Sequence, residues 1–249
     1  TTLLVQTDGA VYGLGSNSTG QLFIGQTTDN AAHWAPTLME WAPPSSKAVA
    51  LTYSSCVLTL QKKVVCVGTN QNFRLGTTES VGYPARVEVA LDDVEELEGV
   101  NATVCIRNGS GEVWCWGQNT NYQIGMGLAT ALGPTRITLP SPAKRLAMGN
   151  GTTCAILSDD SVYCWGSNVE KALAGCSAPN TTNPRHVFLD AAETEKLHAK
   201  QLAMGHGHSC AIDLDDQLWC WGTNTFFNPG TIEEREPVCP PKRLSIACD

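Results

Sequence analysis

Apolar and polar positions follow one order along this chain, and that order returns five times. The clearest copy is residues 154–168, CAILSDDSVYCWGSN. An apolar run is followed by a four-residue polar turn and a second apolar run. Trp165 and Gly166 come next, with Asn168 two positions on. The design recurs at 105–119 (CIRNGSGEVWCWGQN) and 210–224 (CAIDLDDQLWCWGTN), more weakly at 56–70 (CVLTLQKKVVCVGTN), and without cysteines at 3–17 (LLVQTDGAVYGLGSN). The runs are rich in Val, Ile, Tyr and Trp, which suit a pleated surface. The polar cluster interrupts any 3.6-residue period and supplies turn formers. Each copy therefore predicts an antiparallel hairpin.

Further strands are expected upstream of each hairpin. One set covers 47–51, 94–97, 144–149 and 200–205. A second set opens on proline, at 36–39, 84–87, 134–137 and 184–187. Proline is tolerated at a strand start or on an edge, where no ladder donor is lost. Four short strands per period is the content of one propeller blade. Gly15, Gly68, Gly117, Gly166 and Gly222 mark the periods, and their spacing of about 50 residues lies in the range for such repeats. The expected fold is an all-β propeller with five visible repeats.

The ends bear on closure. Lys242-Arg243-Leu244 aligns with Lys144-Arg145-Leu146, which would make the last residues the first strand of the blade that continues at Leu3. The expected blades are then 1–46 with 242–249, 47–93, 94–143, 144–199 and 200–241, in one domain. The ring closes within one molecule, or the cut blade is completed by a second molecule, or the segment is a piece of a longer chain.

At this point the residues resemble the regulator of chromosome condensation repeat family. The matching elements are the apolar hairpin, the Trp-Gly-x-Asn signature, and the Gly-bearing loop that follows (19–22, 74–76, 123–125). The Pro-x-Arg-Val/Ile segments at Pro84 and Pro134 also fit. The resemblance implies a β-propeller, usually of seven blades, and five visible repeats depart from that. The best-known member is a nuclear exchange factor for a small GTPase. Relatives also include secreted bacterial proteins, a protein inhibitor of β-lactamases and plant receptor-kinase ectodomains. Fold alone does not choose among these.

Four cysteine pairs, Cys56/Cys66, Cys105/Cys115, Cys154/Cys164 and Cys210/Cys220, have the same spacing within the repeat. A short hairpin places such positions opposite each other, with Cα atoms about 4.5–5.5 Å apart, a range that admits disulfides. In the copy that lacks one cysteine the other is missing too, at Leu3 and Gly13. Buried free thiols are the rival reading. A twin-cysteine helical hairpin would need helices, and no Cys-x-x-Cys supports zinc. Cys176, Cys239 and Cys248 remain. Three cannot all pair within one chain, and which two do is open.

Composition sharpens the setting. Eleven cysteines are many for a reducing compartment. Asn-x-Ser/Thr sequons occur at Asn17, Asn101, Asn108, Asn150 and Asn180. Asn17 belongs to the repeat signature and reads as structural, which leaves Asn101, Asn108, Asn150 and Asn180 as glycosylation candidates. Net charge is −8 and no Lys/Arg cluster stands out, so a nucleic-acid partner is not expected. No apolar run approaches the roughly 20 residues of a membrane span. No signal-like segment precedes Thr1, so a leader was removed or never present. An extracellular or cell-surface location is expected.

No paired-carboxylate, nucleophile-base or phosphate-loop constellation appears, so the chain reads as a non-enzyme with no cofactor. Asp159-Asp160 and Asp213 to Asp216 fall in turns. His206-Gly207-His208 lacks further metal ligands. Trp116, Trp165 and Trp221 hold one repeat position and read as blade packing, whereas Trp34 and Trp41 are candidates for exposed contact. The expected function is binding of a protein or glycan through blade-connecting loops. Alternatives are a structural subunit that binds copies of itself by strand exchange, and an exchange-factor-like GTPase regulator.

Overall fold

A strand whose alternate residues are apolar must cover that face, and a hairpin alone cannot do so. The chain solves this by stacking sheets. The computed structural model describes residues 1–24, 32–79, 81, 84–127, 131–176, 180–223 and 236–244. These fall into two compact units, Thr1–Gln118 with Thr130–Arg136, and Asn119–Ala129 with Ile137–Asp249.

The first unit holds three antiparallel sheets. Strands β1 (Thr2–Val5), β2 (Val11–Ser16) and β3 (Ala32–Leu38) form a three-stranded sheet in that order. Strands β4 (Ser45–Leu51), β5 (Ser54–Thr59), β6 (Val64–Gly68) and β7 (Ala85–Glu88) form the second sheet. The third contains β8 (Val94–Val100), β9 (Thr103–Asn108), β10 (Val113–Gly117) and β11 (Leu132–Ile137). The second unit repeats the four-stranded design twice. Its sheets are β12 (Ala143–Gly149), β13 (Thr152–Leu157), β14 (Val162–Gly166), β15 (Thr181–His186), and then β16 (Ala199–Met204), β17 (His208–Asp213), β18 (Leu218–Gly222), β19 (Val238–Leu244).

Period-two alternation gives each sheet a cysteine face and a tryptophan face. In the fourth sheet Cys154 and Ile156 point to one side and Thr153 and Ala155 to the other. Within each unit the cysteine face of one sheet lies under the tryptophan face of the next. Cys56, Leu58, Val64 and Cys66 pack with Leu97, Val104, Ile106 and Trp116. Cys154, Ile156, Val162 and Cys164 pack with Ala211 and Trp221. At the corresponding place, Val11 with Leu3 and Val5 meets Val57, Val65 and Val67. Burying one such aliphatic side chain contributes about 1.5–3 kcal/mol, so these faces carry much of the fold.

A one-residue register shift recurs at the start of the first strand of each four-stranded sheet, between Ser45 and Lys47, Val94 and Glu96, Ala143 and Arg145, and Ala199 and Gln201. An extra residue there bends and twists the strand. The glycine after each Trp position has φ of 101–117° in the four-stranded sheets (Gly68, Gly117, Gly166, Gly222). This conformation is steeply unfavourable for a residue with a Cβ. At Gly166 a Cβ would also collide with the carbonyl oxygen of Gly151.

The blade limits differ from the sequence reading at the C-terminal end. Leu244 pairs with Leu218, Arg243 with Trp219 and Lys242 with Cys220, so β19 is the outer strand of the last sheet. It is not the first strand of the blade that continues at Leu3, nor a strand held out for exchange. The physical reason lies just upstream. Pro240-Pro241-Lys242-Arg243 is a proline-led outer strand like Pro184-Arg185-His186, and the Lys-Arg-Leu likeness to Lys144 is incidental. Residues 245–249, with Cys248, lie outside the described residues.

Candidate interaction surface

The cysteines close the hairpins on themselves. Cys56–Cys66, Cys105–Cys115, Cys154–Cys164 and Cys210–Cys220 are directly opposed in register. Each forms a disulfide with Cα atoms 4.1 Å apart. A fifth disulfide joins Cys176, in the loop after β14, to Cys239 on β19, across 63 residues of sequence. Sequence spacing carried no signal for this link, because its partners belong to different periods.

The repeat signature is used inside the sheets. Asn17, Asn70, Asn119 and Asn168 each accept, at Oδ1, the backbone N–H five residues on, at Leu22, Leu75, Ile124 and Leu173, over 2.9–3.0 Å. Asn70 and Asn168 also donate from Nδ2 to the carbonyls of Thr77 and Gly175. One side chain thus ties both ends of the Gly-bearing loop. The loop in turn offers a carbonyl to the tryptophan of the following sheet. Trp116 Nε1 donates to Arg74 O at 3.2 Å, Trp165 Nε1 to Gln123 O at 3.0 Å, and Trp221 Nε1 to Ala172 O at 2.7 Å. All three indoles are fully buried. A buried indole is stable only with its N–H satisfied, and the loop supplies that acceptor.

Arg74 belongs to the same machinery. It is buried, donates from Nε to Gln71 O at 2.7 Å and also bonds Thr52 O. Burial lowers its pKa from the usual guanidinium value.

The carboxylates of interest sit in hairpin turns and serve them. Asp159 Oδ1 accepts from Ser161 Oγ at 2.6 Å and from its N–H, and the Ser161 hydroxyl is the main cause holding the carboxyl below its usual range. At Asp213, burial pushes the carboxyl up. Bonds from Trp219 Nε1 (2.8 Å) and the N–H groups of Gln217 and Asp215, with the nearby Arg243 charge, outweigh it and leave the group low. His186 lies between the tilted rings of Tyr163 and Phe188, and desolvation there lowers its pKa. His206 bonds Asn150 Nδ2 at 2.7 Å, whereas His208 pairs across to Gly222 at the start of β17. Among the described residues no group of three metal-ligating side chains forms.

The glycosylation candidates have unequal surroundings. Asn101 and Asn150 are exposed, each just after the first strand of its sheet. Asn108 is half-buried. Its Oδ1 accepts from Ser110 Oγ and Glu112 N, and its Nδ2 donates to Glu112. Asn180 is half-buried and accepts from Asn168 N. The contact candidates also divide. Trp34 stands on β3 at 90% exposure. Trp41 is half-buried against the Val11–Val65 cluster.

The comparisons with known proteins agree with this anatomy. One model described as "Regulator of chromosome condensation (RCC1) repeat" matches residues 110–156, and a second matches 143–170 and 199–227. Residues 110–170 and 199–227 thus carry regulator of chromosome condensation repeats. No curated relative matches it in sequence. Human WBSCR16 superposes with a TM-score of 0.77 at 18% identity, over 94% of this chain and 63% of its own. Prp20p from Saccharomyces cerevisiae, a structure described with binding to Gsp1p and histones, gives 0.79 at 16% identity, over 98% and 61%. The ectodomain of the Physcomitrella patens receptor kinase CR4 gives 0.52 at 17%, over 88% and 48%. These repeats therefore have the β-propeller fold, and the chain spans about three fifths of the first two relatives' length.

Proposed function

We propose that this repeat protein is an extracellular, non-catalytic domain that binds a protein partner through the loops and outer strands of its blades. Trp34 carries this reading. Every Trp at the repeat position is buried and bonded to a loop of the preceding sheet, whereas Trp34 stands 90% exposed on an outer strand. Tryptophan is the residue type most concentrated at interface hot spots, and nothing in the repeat design calls for one here. The five disulfides support an oxidising compartment. Prp20p, a relative in fold, is described with protein partners, and a second structure shows it bound by Kap60.

The test compares the oxidised, secreted chain with its Trp34→Ala variant on a panel of purified ectodomains and on a glycan panel. A specific ectodomain signal that falls about 30-fold in the variant, the equivalent of a 2 kcal/mol hot spot, is expected. A signal confined to the glycan panel, or one indifferent to Trp34, contradicts the reading. The exchange-factor alternative, suggested by the likeness to Prp20p, instead predicts tight binding of a small GTPase in reductant.

A further inference from the structure

A short turn joins the first and second strands of each four-stranded sheet. Its opening residue is Thr52, Asn101, Asn150 and His206 in successive sheets, and the residue two further on is Ser54, Thr103, Thr152 and His208. The fold accounts for threonine at the later place. Thr103 and Thr152 are buried, and their hydroxyls donate to the carbonyls of Gln118 and Ser167 at 2.8 and 3.0 Å. The fold does not account for asparagine at the opening place. Thr52 and His206 fill the same position, so the turn does not require it. Asn101 has φ of 54°, which asparagine tolerates, but Asn150 does not share that conformation.

Both asparagines are exposed. Asn150 Nδ2 donates to His206 Nε2 at 2.7 Å. A primary amide nitrogen carries two hydrogens, so this bond leaves one open to substitution. The other sequons are held differently. Asn17 is fully buried, with its Nδ2 inside. Asn108 closes its own hairpin turn through side-chain bonds to Ser110 and Glu112. Asn180 accepts from Asn168 N, and both Asn108 and Asn180 are half-buried.

We propose that Asn101 and Asn150 carry N-linked glycans on these turns, which rests on the extracellular reading above. The donor is a lipid-linked oligosaccharide. The amide Nδ2 displaces the lipid diphosphate from the anomeric carbon of the sugar. A C–N bond forms, the C–O bond to the diphosphate breaks, and the amide gives up one proton. The hydroxyl two residues on belongs to the acceptor sequence. In the folded chain Thr103 and Thr152 have committed theirs to backbone carbonyls, so attachment precedes closure of the turns. The finished glycans are bulky and hydrated. They cover the β8–β9 and β12–β13 turns and confine a protein partner to loops and outer strands elsewhere.

Peptide mapping of the protein from its native source tests this. Peptide N-glycosidase in heavy-oxygen water converts each glycosylated asparagine to a labelled aspartate. A digest without the enzyme controls for spontaneous deamidation at the Asn108-Gly109 and Asn150-Gly151 steps. The label is expected at Asn101 and Asn150, at lower occupancy at Asn108 and Asn180, and not at Asn17. A bare Asn101 or Asn150 overturns the proposal. So does a glycan at Asn17, or occupancy at Asn108 or Asn180 above that at the two turn sites. The same digest reads the cysteines. Linked hairpin pairs with bare asparagines overturn the glycans and leave the extracellular reading standing, whereas free thiols with bare asparagines overturn both.

Discussion

The hairpins β13–β14 and β17–β18 are nearly the same object. Both open on Cys-Ala-Ile, both turn on acidic residues, and both close on Cys-Trp-Gly. Cysteine pairs with cysteine in each, and each tryptophan donates to a loop carbonyl upstream. Their exposure nevertheless differs. Cys154, Ile156 and Val162 are buried, whereas Cys210, Ile212 and Leu218 are half-exposed. The difference lies in what covers the cysteine face, and local sequence does not encode that. In a stacked repeat, stability is roughly a sum of intrinsic unit terms and neighbour terms. This pair separates the two, because the hairpin sequences are matched while the burial of their cysteine faces differs.

Ile156→Ala against Ile212→Ala gives the largest expected effect. The first should cost about 2–5 kcal/mol, the usual range for a buried large-to-small change. The second should cost roughly half as much or less, measured by denaturant unfolding at concentrations where the chain is monomeric. Equal losses would show that exposure does not separate the two sites.

Reduction sharpens the same contrast. Cys154 and Cys164 are inaccessible, while Cys210, Cys176 and Cys239 are half-exposed. Brief, mild reductant followed by alkylation and peptide mapping should label Cys210/Cys220 and Cys176/Cys239 before Cys56/Cys66, Cys105/Cys115 or Cys154/Cys164. Simultaneous labelling would mean that the sheets open together. The staples also differ in what they restrain. In the loop-entropy account a bond separated by 10 residues contributes about 3 kcal/mol and one separated by 63 about 4 kcal/mol. Cys176→Ser with Cys239→Ser should therefore destabilise as much as removal of one hairpin staple or more.

Acid has the smallest effect. The carboxyls of Asp159 and Asp213 are both held low in the folded chain. A depressed carboxyl contributes stability that is fully present above its unfolded pKa of about 3.9. That contribution is lost as pH falls through the lower folded value. Both hairpins should thus lose a little stability below about pH 4. In the second, Trp219→Phe should shift the Asp213 titration upward by removing the indole donor, which NMR can follow. An unmoved Asp213 would mean that the Trp219 bond does not form in solution.

Much of this was legible in the chain. The ten-residue cysteine spacing, the Trp-Gly-x-Asn signature and the proline-led segments locate the strands, because alternation and turn chemistry are local properties. The pairing choice of Lys242-Arg243-Leu244 was not legible. A short strand pattern says that a segment will join a sheet without saying beside which neighbour, and only the prolines upstream resolve it. Trp41 looked like Trp34 in sequence, yet it packs on the first cluster because the chain turns back there, with Trp41 N donating to Phe23 O. The Cys176–Cys239 link and the unequal burial of equivalent residues depend on contacts between periods, about which no single repeat carries information.

Non-reducing peptide mapping of the protein isolated from its native source, with thiols blocked on lysis, tests the central claim most directly. The account predicts five linked pairs: Cys56–Cys66, Cys105–Cys115, Cys154–Cys164, Cys210–Cys220 and Cys176–Cys239. Recovery of the four hairpin pairs as free, alkylated thiols would contradict it, and with it the extracellular function drawn from those staples.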